Sequence, residues 1–409
     1  MKIKKMTKGF FVLGLATVST SALSNERDQA KTLYSSLTGG TANKDTADKY
    51  EGYMRDKKYR EAAKEIIEAN EGFYNVTLKN FFTPMTNEDG TQFAPLNDMT
   101  ALLIGATRDD IDFFRVFWDN IMYQFDGTLT GANRDKYYLE DLDVTVPKYN
   151  RTKNEMYEAA ENGLVPLGNK KYFKQTQQNT YTTLDPAAIA GMFSTRGFAA
   201  AYYPDGTNRA AFAYFAQNFL CKDMAELSDT SIPDFRVRRD VDRSPGGSSD
   251  TYKTYCVGCH AGQDALGGAF AYYDYVDGRM VYGAHDVVID GRAEVVGPVA
   301  PKINANNMFP DGKITTSDSW INLWTTGQNE YIGWGSQQNG NGAKDLGKML
   351  AETKQVRTCL SQKVFETVCH RSPTSDTDKS IIQSMAKQFD KDRNMKNVFI
   401  NAAVACMGE

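Results

Sequence analysis

The sequence predicts a mainly α-helical protein in three parts. An N-terminal helical domain covers residues 25–227, a small domain with a few short strands covers 228–342, and a C-terminal helical domain covers 343–409. Helical spacing of apolar residues dominates both ends of the chain. A run rich in Ser, Pro, Gly and charge, SDTSIPDFRVRRDVDRSPGGSSD (228–250), separates them. The length, 409 residues, also asks for more than one domain at about 100–200 residues each.

The first 24 residues stand apart. Lys2, Lys4, Lys5 and Lys8 form a basic start, Phe10 to Val18 a short apolar stretch, and Ala22 and Ser24 put small residues at −3 and −1 of a cleavage after Ser24. This is the pattern of a secretory signal peptide. The apolar stretch is short for a bilayer span, and nothing downstream approaches about 20 apolar residues. The expected location is therefore periplasmic or secreted, with no transmembrane segment after cleavage. The whole chain carries a formal charge of −4, and loss of four Lys with no acid leaves the remainder near −8. Such a chain is poorly suited to nucleic acid.

In the N-terminal domain, residues 27–83 read as helices. Ala62, Ala63, Ile66 and Ile67 define one face of Lys58–Asn70. A polar loop follows, then an apolar stretch, Asp98–Phe125, read as a second helical region. Its Asp109–Asp110 pair fits an N-terminal helix turn with a solvated face better than acid–base chemistry. Residues 126–190 show few clear periods. Helical stretches return at 185–203 and 208–221. From Ala343 the pattern is helical to the end.

The chemistry is concentrated in Cys256-Val257-Gly258-Cys259-His260. C-x-x-C-H is the attachment pattern of a covalent haem. Two thiols spaced by two residues match the two haem vinyl groups, and the adjacent His supplies the proximal nitrogen. Tyr252, four residues before Cys256, is an aromatic on the leading helix. A redox dithiol would not need His260, and no second C-x-x-C completes a zinc site. The expected cofactor is one haem c. For the distal position the candidates are Met280, His285, Met308 and Met349. Met308, in the polar loop NANNMFPDG, is preferred as tentative ligand, with His285 as the alternative, and an open or water-ligated iron as a third outcome.

The remaining cysteines, Cys221, Cys359, Cys369 and Cys406, suit disulfides in an oxidising compartment. Cys359 and Cys369 are about 15 Å apart along one helix at 1.5 Å per residue, too far to bridge each other. At least one pair among the four is expected. Asp390–Asn401 lacks the Gly and Glu of a calcium loop, and no phosphate loop, nucleophile elbow or H-E-x-x-H motif is present.

CVGCHAGQDALGGAFAYYDYVDGR resembles a motif of secreted mono-haem cytochromes described from planctomycetes, multi-domain proteins built around one C-x-x-C-H. Asp264, Leu266, Gly267, Phe270, Asp274, Gly278 and Arg279 fit that pattern. Gln263 and Ala265 replace its usual Met and Pro, and the His often found before the motif is missing from SSDTYKTYC. STRGFAAAYYPDGTNRAAFAYFAQNFLC and LAETKQVRTCLSQKVFETVC resemble flanking regions of the same family. The resemblance implies a haem protein and leaves the reaction open. The leading expectation is one-electron transfer with a redox partner protein. The alternatives are a haem enzyme, peroxidase- or oxidase-like, with an open distal site, and a surface or binding protein with structural haem.

Overall fold

Helix caps and buried stripes set out the N-terminal region of the computed structural model, which describes residues 25–182, 184–204, 208–235, 247–283 and 317–408. The expected signal segment, residues 1–24, lies outside the described residues. Helix α1 (Glu26–Thr38) begins where the Asn25 side chain accepts the Asp28 N–H. It stops at Gly39, whose φ of 68° is left-handed. Helix α2 (Lys44–Arg55) repeats the Asn cap at Asn43. Helix α3 (Tyr59–Ala69) buries Ala62, Ala63, Ile66 and Ile67, the face the sequence defines. A π turn and the short α4 (Lys79–Phe82) follow.

Helix α5 (Asp98–Arg108) is the centre of the molecule, and every one of its residues is buried. A helix buried on every side, its Asp98, Thr100, Thr107 and Arg108 included, sits inside a core. The expected helical region to Phe125 is broken here. Asp109 caps α5 and Asp110 takes a left-handed φ of 56°. The chain then makes a 3-10 turn at Phe113–Phe117 and enters a strand. The acid pair serves structure. Arg108, Lys170 and the Tyr123 hydroxyl hold Asp109, while Asn394 and Lys396 donate to Asp110. Burial pushes the Asp109 carboxyl up, but these partners outweigh it and hold it below the ordinary range.

The strand is β1 (Met122–Phe125), and the low-period stretch after it contains β2 (Thr128–Thr130), β3 (Lys136–Leu139), β4 (Val144–Pro147), α6 (Glu155–Asn162) and β5 (Phe173–Thr176). β1 pairs antiparallel with β5, Met122 opposite Thr176, and β2-β3-β4 form a separate antiparallel sheet. Next come α7 (Gln178–Thr182), α8 (Arg196–Tyr202) and α9 (Asn208–Phe215). The buried Asp98 carboxylate accepts the Arg196 and Gly197 N–H groups at 2.7 and 2.8 Å, so α5 caps α8 across the core.

After residue 247 the chain forms α10 (Ser249–Tyr255), α11 (Val257–Gly267), the hairpin β6 (Tyr273–Val276) and β7 (Arg279–Tyr282), and the pair β8 (Ser319–Ile321) and β9 (Asn339–Asn341). The C-terminal helices are α12 (Gly342–Glu352), α13 (Lys354–Cys369), α14 (Asp376–Asp392) and α15 (Met395–Cys406). Extended Thr353 breaks what reads in sequence as one helical run. α15 packs on α1 and α3, and Phe399 lies edge-on to Phe73 and Phe81 at 5.4 and 5.2 Å. The protein is mainly α-helical, as expected, with short strands only. Among the described residues no helix is long and apolar enough to cross a membrane.

Two disulfides tie these helices. Cys221 bonds Cys359, with Cα atoms 5.3 Å apart, and joins the turn after α9 to α13. Cys369 bonds Cys406, at 5.4 Å, and joins the ends of α13 and α15. Cys359 and Cys369 are not paired with each other, in line with helix geometry. Peptide mapping under non-reducing conditions is expected to recover both pairs and no other. Replacing Cys221 and Cys359 together by Ser should lower unfolding stability by about 2–5 kcal/mol, because a long loop is freed in the unfolded chain. A denaturant titration checks this.

Candidate functional site

Helices α10 and α11 meet at Cys256, which ends one and begins the other with φ −114° and ψ −39°. The His260 N–H donates to the Cys256 carbonyl at 3.0 Å, which closes the first turn of α11. Positions 256, 259, 260, 263, 264 and 267 follow the i, i+3, i+4, i+7 rule and so form one stripe. The first turn of that stripe is open. Cys256 and Cys259 are partly exposed and unbonded, the two free thiols among six cysteines. The second turn is closed: Gln263 and Asp264 are buried.

The opposite face of α11 is made for close approach. A Cβ on Gly258 would collide with the Ser228 hydroxyl, and the Gly258 carbonyl accepts the Asp229 N–H at 2.8 Å. A Cβ on Gly262 would sit inside the indole of Trp324. Trp324 cannot easily retreat, since it is fully buried between Phe212 and Trp334, at centroid distances of 5.6 and 6.1 Å. A Cβ on Gly268, just past the helix end, would strike the Ser319 carbonyl. Ser228, Trp324 and Ser319 thus hold the back of α11 while its front turn stays accessible.

Around His260 the contacts are polar and specific. Its Nδ1 is buried without a hydrogen bond and lies 3.5 Å from Asp264 Oδ1. The Asp264 side chain is 0% exposed and the His260 side chain 21%. Arg209 Nη1, from α9, stands 3.4 Å from the same Asp264 oxygen. Gln263 donates from Nε2 to the Arg209 carbonyl at 2.8 Å. The Tyr252 ring, on α10, is 6.1 Å from the His260 ring, and its hydroxyl donates to Asp234 at 2.7 Å. Tyr255, beside Cys256, is 80% exposed.

The structure brings Cys256, Cys259 and His260 together on one turn. Two of the four distal candidates belong to the core. Met280 is buried in β7. Met349 is buried in α12, its sulfur 3.8 Å from Asn322 Nδ2 and 3.7 Å from the Thr353 hydroxyl. His285 and Met308 lie outside the described residues. Tyr282 and Asp318, on either side of that segment, interact electrostatically. The Tyr282 phenol is pushed up to about 12, chiefly by burial and then by Asp318. No group of three or more His, Cys, Asp or Glu able to hold a metal ion occurs among the described residues.

Several residues of the sequence motif have structural roles. Asp277 and Gly278 take φ values of 50° and 79° in the two-residue turn between β6 and β7, the left-handed pair such a hairpin needs. Phe270 packs on Phe193 and Tyr203 at 5.5 and 6.1 Å. Arg209 and Trp324 were not visible as site residues in the sequence, because nothing local marks a partner 50 or more residues away. Asp264 carried a signal, its i+4 spacing from His260. No family model matches the chain, and no curated protein or solved structure matches it.

Two glycines test the close-approach face. Gly52, in α2, has nothing near its missing Cβ, so Gly52→Ala should gain up to about 1 kcal/mol of helix propensity. Gly262→Ala gains the same term but overpacks Trp324, which costs about 3 kcal/mol. The net expectation is a loss near 2 kcal/mol by urea unfolding, with altered Trp fluorescence.

Proposed function

We propose that the protein is an exported c-type cytochrome that transfers single electrons through one haem held by Cys256, Cys259 and His260. The observation that carries this reading is the first turn of α11. It gathers the only two unbonded thiols of the chain and the imidazole on one accessible stripe, against a helix back that is fully packed. The residues fit the group. Each thiol would add its S–H across one vinyl, a step that needs no oxidant, and His260, its side chain 21% exposed, would supply the ring nitrogen. Bound haem supplies a one-electron ferric–ferrous couple.

The chain's own residues do the rest. Gly258 and Gly262 let Asp229 and Trp324 clamp the back of α11, so the two attachment thiols and the imidazole would project from a fixed helix. Gln263 ties α11 to α9. Two disulfides and the basic-apolar start of the chain support export to an oxidising compartment. The partner is expected to be an extracytoplasmic redox protein. The distal ligand proposed from sequence remains Met308, with His285 second.

Protein expressed with a c-type maturation system should keep its haem through acid–acetone extraction and give a c-type pyridine spectrum. Cys256→Ala or Cys259→Ala should lower holoprotein yield severalfold. Electron transfer further requires a single one-electron wave on redox titration and a ferric spectrum insensitive to cyanide. Extractable haem defeats the attachment reading, and rapid cyanide binding defeats the transfer reading in favour of an enzyme.

A further inference from the structure

We propose that Asp264 is the positioning residue for His260: its carboxylate accepts the imidazole Nδ1–H, which holds Nε2 outward and makes it a stronger donor to iron. The proposal rests on the reading of residues 256–260 as the haem-attachment turn.

Three features of the structure lead to it. First, His260 Nδ1 is buried and has no hydrogen-bond partner, although the side chain as a whole is 21% exposed. Leaving a buried nitrogen unpaired is unfavourable. The acceptor it faces is Asp264 Oδ1, at 3.5 Å. A small rotation of the ring closes that gap to the roughly 2.7–2.9 Å of a charge-assisted bond.

Second, the carboxylate is held in place. Asp264 is 0% exposed, and a buried carboxylate persists only with compensating partners. Arg209 Nη1 lies 3.4 Å from its Oδ1, and the Arg209 backbone is fixed in turn by Gln263. The group facing His260 is therefore anchored to α9.

Third, the spacing is built into the helix. Residues four apart on one stripe are stacked neighbours, so α11 delivers the acceptor and the imidazole together. A metal-bound imidazole whose other N–H is donated to a carboxylate becomes a more basic ligand, oriented in one tautomer. Such a ligand favours the ferric state and lowers the reduction potential. Asp264 would thus set the potential from inside the helix that carries the attachment motif.

The test uses purified full-length holoprotein. Asp264→Asn keeps size and shape while removing the charge. It is expected to retain covalent haem and to shift the ferric–ferrous equilibrium at least about tenfold toward ferrous, which is about 59 mV for one electron. In the ferrous wild type, the 15N resonance of His260 Nδ1 should be displaced toward the imidazolate value. Holoprotein whose potential is unchanged by Asp264→Asn overturns the proposal. If that variant does not accumulate, a wild-type Nδ1 resonance at the ordinary imidazole position overturns it instead. Wild-type protein without covalent haem defeats the attachment reading. In that sample the 15N spectrum still decides: an Nδ1–H tautomer at His260 supports the Asp264 contact, and an Nε2–H tautomer refutes it.

Discussion

How closely other chain segments approach the back of α11 governs the candidate site. At about 100° per residue, Gly258 and Gly262 fall on the side away from Cys256, Cys259 and His260. Their missing side chains admit the Ser228–Asp229 backbone and the Trp324 indole to contact with the helix. An ordinary residue at either position would push these partners out and loosen the helix that carries the motif. Interiors are packed too tightly to absorb such volume. The same packing leaves the front turn as the accessible part of the helix, so one arrangement both fixes the motif and exposes it.

That constraint is connected to the centre of the fold. Asp98, at the start of the buried α5, caps α8 through the Arg196 and Gly197 N–H groups. The chain from α8 leads to α9, where Arg209 meets Gln263 and Asp264 of α11. α9 then runs into the turn that ends at Cys221, bonded to Cys359 on α13. The front of α11 is thus referred back to α5 on one side and to the C-terminal helices on the other. Long-range ties of this kind give a site on a short helix a definite position, which local propensity alone would not.

Much of this was legible in the sequence where the signal is local. The face of α3, the helical C-terminal region, the C-x-x-C-H turn and the impossibility of a Cys359–Cys369 bond all follow from short-range spacing. What escaped was set by partners far away in the chain. Asp98–Phe125 is rich in apolar residues on both sides of its charged run, so periodicity could not distinguish one helix from a helix followed by a strand. The strand exists because Met122–Phe125 finds Phe173–Thr176 about 50 residues later. Residues 126–190 hid the strands β2 to β5 because each is only three or four residues long. Asp264 was visible as a motif position, yet its burial against Arg209 depends on a helix packed from 55 residues upstream.

The rival to a haem turn is a redox dithiol, since two thiols at the start of a helix are also the geometry of thiol–disulfide exchange. The surroundings weigh between the two. A dithiol gains from a thiol pair at a helix start and a partner cation, and has no use for an imidazole whose inner nitrogen is sealed against a buried acid. A carboxylate behind the ring improves a nitrogen ligand. Burying Asp264 also costs desolvation that a plain dithiol helix would avoid with any apolar residue at that position. Arg209 compensates the buried Asp264 in either case, and the haem-attachment reading proposed above is the one that gives Cys256, Cys259, His260 and Asp264 a joint role.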